Sequence, residues 1–303
     1  MTPGRLAWLD AARGLAVVSM VVFHLIWDLG NFGYVDADLP FSPGVKLFGH
    51  AIAESFLFVA GVALVLAHAR NASWRPFWRR IGVVAGAAGL VSLGTYLVFP
   101  QAFVFFGILH CIALASLLAA PLLGAPWPAA ALAALLAAAA PSLFASQSLD
   151  APWFWWTGLS SFEPPTNDYR PIFPWSAGLF AGVAAARFCG AFGLRAPFAD
   201  RGAAPLNWLG RHSLAIYLLH QPLLFGLFTG LAALGSAPRA AEGDAFLAAC
   251  ELQCAVSGGA AEVCQPACAC TAARAAQEAI PADAAARAAW IGEISRDCLA
   301  KAR

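Results

Sequence analysis

Four ionisable side chains share one face of the first apolar stretch of the chain: Asp10, Arg13, His24 and Asp28. Arg13 and His24 are eleven residues apart, about 1100° of helical rotation, so they point the same way within about 20°. Asp10 stands one turn before Arg13, and Asp28 one turn after His24. A guanidinium such as that of Arg13 can grip a phosphate or carboxylate with a two-pronged fork. His24, about 16 Å further along the face, can act as a general base, and Asp28 can hold its tautomer. The plainer alternative pairs Asp10 with Arg13 near an interface and hydrogen-bonds His24 to a neighbouring helix. Four costly charges on one membrane-length helix favour the functional reading.

Other segments add polar groups. His50 and Glu54 are separated by one turn, and Glu54 is expected to face Arg13 or His24. His110 follows Phe106-Gly-Ile-Leu. Asn207, Arg211, His212, Ser213, Tyr217, His220 and Gln221 cluster late in the chain. Ser213, Tyr217 and His220 fall on one helical face, close to the loosening Pro222. Asp168, Tyr169 and Arg170 lie together in a loop, where they can contact an acceptor or simply form the turn before the next helix. His68 reads as an interfacial residue at a span end.

The elements that must position these groups are membrane helices. The chain has 303 residues, 60% of them hydrophobic and 12% charged, whereas a soluble domain carries roughly 25% charged residues. Several nearly uncharged runs reach the length of a bilayer crossing. The expected fold is all-α: a polytopic bundle of about seven transmembrane helices over 1–235, with a small Cys-rich helical tail over 236–303. The expected spans are 6–29, 45–67, 81–98, 103–123, 128–144, 172–188 and 213–234. The aromatic run of Trp153, Phe154, Trp155 and Trp156 suits a membrane interface. A net charge of +1 argues against a nucleic-acid partner, and no cleavable leader is expected, because the first apolar run is long and contains Arg13. A homo-oligomeric state is left open.

Arginines collect in alternate loops. Arg5, then Arg70, Arg75, Arg79 and Arg80, then Arg187, Arg195, Arg201 and Arg211 fall on one side by the crossing count. Asp36, Asp38, Asp150, Glu163 and Asp168 fall on the other. The positive-inside rule makes the N-terminus cytoplasmic and, with seven spans, the tail extracytoplasmic. The sequon at Asn71 is discounted, because it would lie inside.

Six of the eight cysteines lie in the tail: Cys250, Cys254, Cys264, Cys268, Cys270 and Cys298. Two Cys-x3-Cys pairs place thiols on helix faces. Facing each other, they can be stapled as Cys250–Cys268 and Cys254–Cys264, and Cys270 with Cys298 can form a third bridge. An even count in a short extracytoplasmic segment favours disulfides; a four-thiolate zinc site is the alternative. Cys111 and Cys189 read as packing residues.

The stretches Asp10-x2-Arg13-Gly14 with Phe23-His24, Glu54-Ser-Phe-Leu-Phe-Val-Ala-Gly61, Phe106-Gly-Ile-Leu-His110, Asp168-Tyr-Arg-Pro-Ile-Phe-Pro-Trp175 and Gly210 to Pro222 occur in order. Together they resemble the bacterial relatives of heparan-alpha-glucosaminide N-acetyltransferase, within the membrane-bound acyltransferases. The resemblance runs from residue 5 to about 225 and leaves out the tail. It implies transfer of an acyl group, acetyl in the first instance, from cytoplasmic acetyl-coenzyme A to a glycan or amino-sugar acceptor across the bacterial inner membrane. No metal is implied. On this scheme Arg13, Arg75, Arg79 and Arg80 contact coenzyme A phosphates. His24, oriented by Asp28, deprotonates the acceptor or carries the acyl group, with Glu54 and His50 beside it. Asp10, Asp168, Tyr169, Arg211, His212, Tyr217 and His220 are expected to line the substrate site. The animal lysosomal enzyme has asparagine where His24 stands and a further loop histidine whose nearest counterpart is His50, which argues against heparan itself as the substrate. Two other classes remain: a haem- or quinone-binding membrane protein using intramembrane histidines, and a transporter or scaffold using the stripe as a proton path.

Overall fold

The computed structural model describes residues 7–36, 38–70, 73–193, 204–234, 247, 250–251, 253–254, 259–277 and 284–302. The described residues contain helices and no strand. In chain order the helices are α1 (Ala7–Asn31), α2 (Pro43–Arg70), α3 (Arg75–Val98), α4 (Ile108–Leu118), α5 (Trp127–Phe144), α6 (Ile172–Ala191), α7 (Ala204–Arg211), α8 (Ser213–Ala233), α9 (Ala261–Gln277) and α10 (Ala284–Ala302). Six of them, α1, α2, α3, α5, α6 and α8, are long and apolar enough to cross a membrane. This is close to the expected seven, and the difference lies in α4.

The sequence reading extends the fourth span from residue 103 to 123. The structure instead gives α4 eleven residues, followed by a 3-10 turn over Ala120–Leu123. Residues 99–107 run back along α3 without helical structure. Irregular backbone survives in an apolar bundle only if protein groups satisfy it, and here they do. The Val104 amide donates to Thr95 Oγ1 at 3.0 Å, and its carbonyl accepts from Ser92 Oγ at 2.6 Å. The Ala102, Phe103 and Phe106 carbonyls accept from Asn167 N, Thr166 Oγ1 and Arg170 N. Hydropathy sees an apolar run either way; the difference is decided by these polar partners.

A second correction concerns the basic loop. α3 starts at Arg75, so Arg75, Arg79 and Arg80 lie on its first turns rather than before it. Pro76 in that first turn suits a helix start, because its missing N–H had no intrahelical partner to lose.

The chain divides into two units. One comprises Met1–Leu25 with Pro43–Leu224; the other comprises Ile26–Ser42 with Phe225–Arg303. In the first, α6 is the packing centre and meets α2, α4 and α5. Leu57, Ile172, Leu179 and Val183 are fully buried there. α2 and α6 touch through glycines: a Cβ on Gly61 would strike the Leu179 carbonyl, and one on Gly182 the Phe58 carbonyl. Small residues admit this backbone approach, the usual device of membrane helix pairs. α5 uses alanine for the same end, burying Ala130, Ala137 and Ala140.

The second unit has its own small cores. Phe32 stacks on Phe228 at 5.6 Å and meets Phe225 edge to face at 5.3 Å. Its Cys-rich part is held by disulfides Cys250–Cys268, Cys254–Cys264 and Cys270–Cys298. The pairing is that drawn from the spacing, and it leaves no thiolates for the zinc alternative. α9 packs on α10, burying Cys264, Cys268, Thr271, Ile294 and Cys298, with an exposed Arg274–Asp297 pair at 3.2 Å.

Candidate active site

The polar face of α1 meets partners at two levels within the first unit. At the lower-numbered level, Asp10 is 3% exposed. Arg13 Nη1 lies 3.1 Å from its Oδ1, and Arg211 Nε lies 3.6 Å from its Oδ2. Glycine makes this junction possible. A Cβ on Gly210 would strike the Asp10 carbonyl, and one on Gly14 the Leu206 carbonyl, so α7 lies against the backbone of α1. Asp10 and Arg211, expected to line a substrate site, are thus committed to each other and to Arg13. His212 is exposed and its Nδ1 lies 2.8 Å from the Trp208 carbonyl.

Arg13 also borders a cavity of about 140 Å³. The cavity is lined by Arg13, Arg80, Ala60, Ile108, Ser213 and Tyr217 among others. Arg80 reaches into it while its Nη2 donates to the Ala60 carbonyl at 3.4 Å. Arg75 and Arg79 are exposed and do not line it. Two guanidinium groups on the wall of one apolar cavity form a ready site for an anion.

At the higher-numbered level, His24 of α1 meets His220 of α8, with ring centroids 4.8 Å apart at 64°. The edge-to-face contact leaves no space for a porphyrin between the rings, so this pair does not suit haem. Among the described residues, no group of three or more His, Cys, Asp and Glu side chains suits a metal. Tyr217, which lines the cavity, lies 5.8 Å from the His220 ring. Arg170 is within electrostatic range of His24 and of Tyr217. Its guanidinium sits 4.6 Å over the Trp175 ring, a cation–π contact, and Trp175 in turn meets the exposed His50 at 5.2 Å.

Glu54 does not pair with Arg13 or His24. It lies against α6, where a Cβ on Gly178 would strike its Oε2. The glycine leaves room for a partly buried carboxyl that the sequence reading aimed elsewhere. Asp28, one turn beyond His24, is fully buried.

The loop residues have structural duties. Asp168 Oδ2 accepts from the Ile108 amide at 3.0 Å and so caps α4; its Oδ1 lies 3.8 Å from Arg170 Nε. Tyr169 donates its hydroxyl to the Trp155 carbonyl at 2.6 Å. Burial, reinforced by the Glu163 carboxylate, pushes its phenol up to about 12, so it remains a donor at any ordinary pH. His110 is held at both ring nitrogens. Nδ1 accepts from the Gly107 amide at 3.2 Å, and Nε2 lies 3.2 Å from Ser92 Oγ.

A family model described as heparan-alpha-glucosaminide N-acetyltransferase, catalytic, matches residues 5–222. The chain belongs to this family. No curated protein and no solved structure gave a significant match. The match takes in the Asp10 junction, the cavity and the histidine pair, and it ends before the six cysteines of the tail. With its membrane-length helices, the chain is a member of a membrane acetyltransferase family. In the sequence of this heparan-alpha-glucosaminide N-acetyltransferase-like domain Ser92 and Thr95 go unnoticed, and Trp175 figures only as the last residue of the Asp168–Trp175 stretch. Ser92 and Thr95 had a readable signal, hydroxyls in an otherwise apolar helix; for Trp175 the stretch gave its place but not the Arg170 cation over its ring.

Proposed function

We propose that this protein is an integral membrane acyltransferase. It takes an acyl group, acetyl in the first instance, from cytoplasmic acyl-coenzyme A and delivers it to an amine or hydroxyl of an extracytoplasmic sugar or glycan. The observation that carries this reading is the continuity of the cavity. It is bordered by Arg13 and Arg80, and it also reaches Tyr217, whose ring neighbours His220 and through it His24.

In this scheme Arg13 and Arg80 hold a phosphate of the donor, with the exposed Arg75 and Arg79 drawing it in. The thioester lies toward Tyr217. The acceptor enters past Arg170, Trp175 and His50. Its nitrogen or oxygen attacks the thioester carbonyl while His24 takes its proton. Arg170 supplies positive charge for the oxyanion. The carbon–sulfur bond breaks, and the coenzyme A thiolate leaves with the proton that His24 received. The charge asymmetry of the loops supports a cytoplasmic N-terminus, and the three disulfides support a periplasmic tail at a bacterial inner membrane, which takes α4 with its 3-10 turn as a seventh crossing.

The test uses purified full-length protein in liposomes with labelled acetyl-coenzyme A and a panel of amino sugars. Label should move to an acceptor in wild type and fail to move in His24→Ala. Equal turnover in the two proteins would remove His24 from the reaction.

A further inference from the structure

Two histidines of the first unit differ in what their ring nitrogens do. His110 uses both, one on Gly107 and one on Ser92. His220 uses one. Its Nδ1 lies 2.7 Å from the Tyr217 carbonyl. A carbonyl only accepts, so Nδ1 carries the ring proton, and in the neutral ring the lone pair is on Nε2. His220 is 8% exposed, and its Nε2 is buried with no hydrogen-bond partner among the described residues. Buried polar atoms are nearly always bonded, so a bare lone pair in this position calls for a reason. The ring it meets is that of His24, at 4.8 Å, and His24 itself makes no hydrogen bond among the described residues. The other groups of the neighbourhood are Tyr217, a neutral phenol, and Arg170, a fixed cation.

We infer that His220 is a proton relay acting through His24, with its Nε2 accepting the N–H proton of His24. This rests on the acyltransferase reading. As the acceptor attacks the thioester, one ring nitrogen of His24 takes the acceptor's proton. The other passes its own proton to His220 Nε2. His220 becomes an imidazolium, held at Nδ1 by the Tyr217 carbonyl. When the carbon–sulfur bond breaks, the protons retrace this path, and one leaves on the coenzyme A thiolate. Atoms and charge balance: acyl-coenzyme A and acceptor give acylated acceptor and free thiol. The Tyr217 carbonyl plays the part a carboxylate plays in other histidine relays, fixing the tautomer and steadying the charged ring. His220 is in this sense a positioning and proton-accepting residue, and His24 is the group that touches substrate.

The experiment compares full-length wild type with His220→Gln and His220→Gly in liposomes. Glutamine keeps hydrogen-bonding capacity but takes no proton, so kcat should fall about 100-fold with KM for acyl-coenzyme A within about twofold. Added imidazole should restore His220→Gly at least about tenfold, a rescue that a merely structural side chain would not show. Nitrogen NMR of wild type labelled at histidine should find His220 protonated at Nδ1 and bare at Nε2. An active wild type with His220→Gln within about threefold of it overturns the relay alone, as does the opposite tautomer, or a folded His220→Gly that imidazole leaves unchanged. A wild type that turns over no acyl-coenzyme A overturns the acyltransferase reading itself, and the relay with it.

Discussion

Asp10 and His220 are both more than nine-tenths buried, yet their surroundings follow opposite rules. Around Asp10 every charge has an opposite charge: one carboxylate lies between two arginines from α1 and α7. Around His220 the rings of two bases touch and a lone pair stays bare. A buried carboxylate without partners would be strongly destabilising, so the first arrangement serves the fold. A buried imidazole can remain neutral, so the second tolerates an unmet lone pair and keeps it for chemistry. The two levels of one helix face thus separate what holds the bundle from what is free to react.

Substitutions can break that contrast in order of effect. His24→Ala should lower acyl transfer by about 100-fold or more while thermal unfolding in detergent stays near wild type; a large fall in the unfolding temperature would place His24 with Asp10 as a structural residue. Arg80→Ala should raise KM for acyl-coenzyme A about tenfold with little change in kcat, because it removes a cation from the cavity but leaves the histidine pair intact. Asp10→Asn should cost about 1–2 kcal/mol of stability, read as a lower unfolding temperature, with kcat of the folded fraction preserved. The figure is set below that of a fully buried pair because both arginines are partly exposed. Ser92→Ala should cost about 1 kcal/mol, since it removes one partner each from Val104 and His110, and a kinetic effect exceeding the stability effect would move His110 into the reactive level.

The helical class, five of the long spans to within a few residues at most ends, and the cysteine pairing were legible in the sequence. Each rests on local rules: hydropathy over a span, or the turn that sets Cys-x3-Cys on one face. The third span was legible except at its start, where hydropathy discarded Arg75, Arg79 and Arg80 although a helix's first turns at an interface accept charge. The fourth was not legible, because its first residues are as apolar as a helix. Only their pairing with Ser92, Thr95, Thr166 and Asn167, distant in sequence, reveals irregular backbone. In the site, the one-face rule brought Arg13 and His24 into view. It could not say that Glu54 turns to Gly178, nor that Arg170 rests on Trp175.

By itself, then, the sequence determined that this chain folds as membrane helices, carries a polar face on α1 and ends in a cysteine-stapled tail. These follow from composition and from periodicity within single elements. The tertiary structure alone decided which polar groups satisfy one another and which do not. Whether a buried charge is structural or reactive depends on atoms brought to it from other helices, here Arg211 to Asp10 and His220 to His24. That information lies in distances across the bundle, which no spacing along one helix contains.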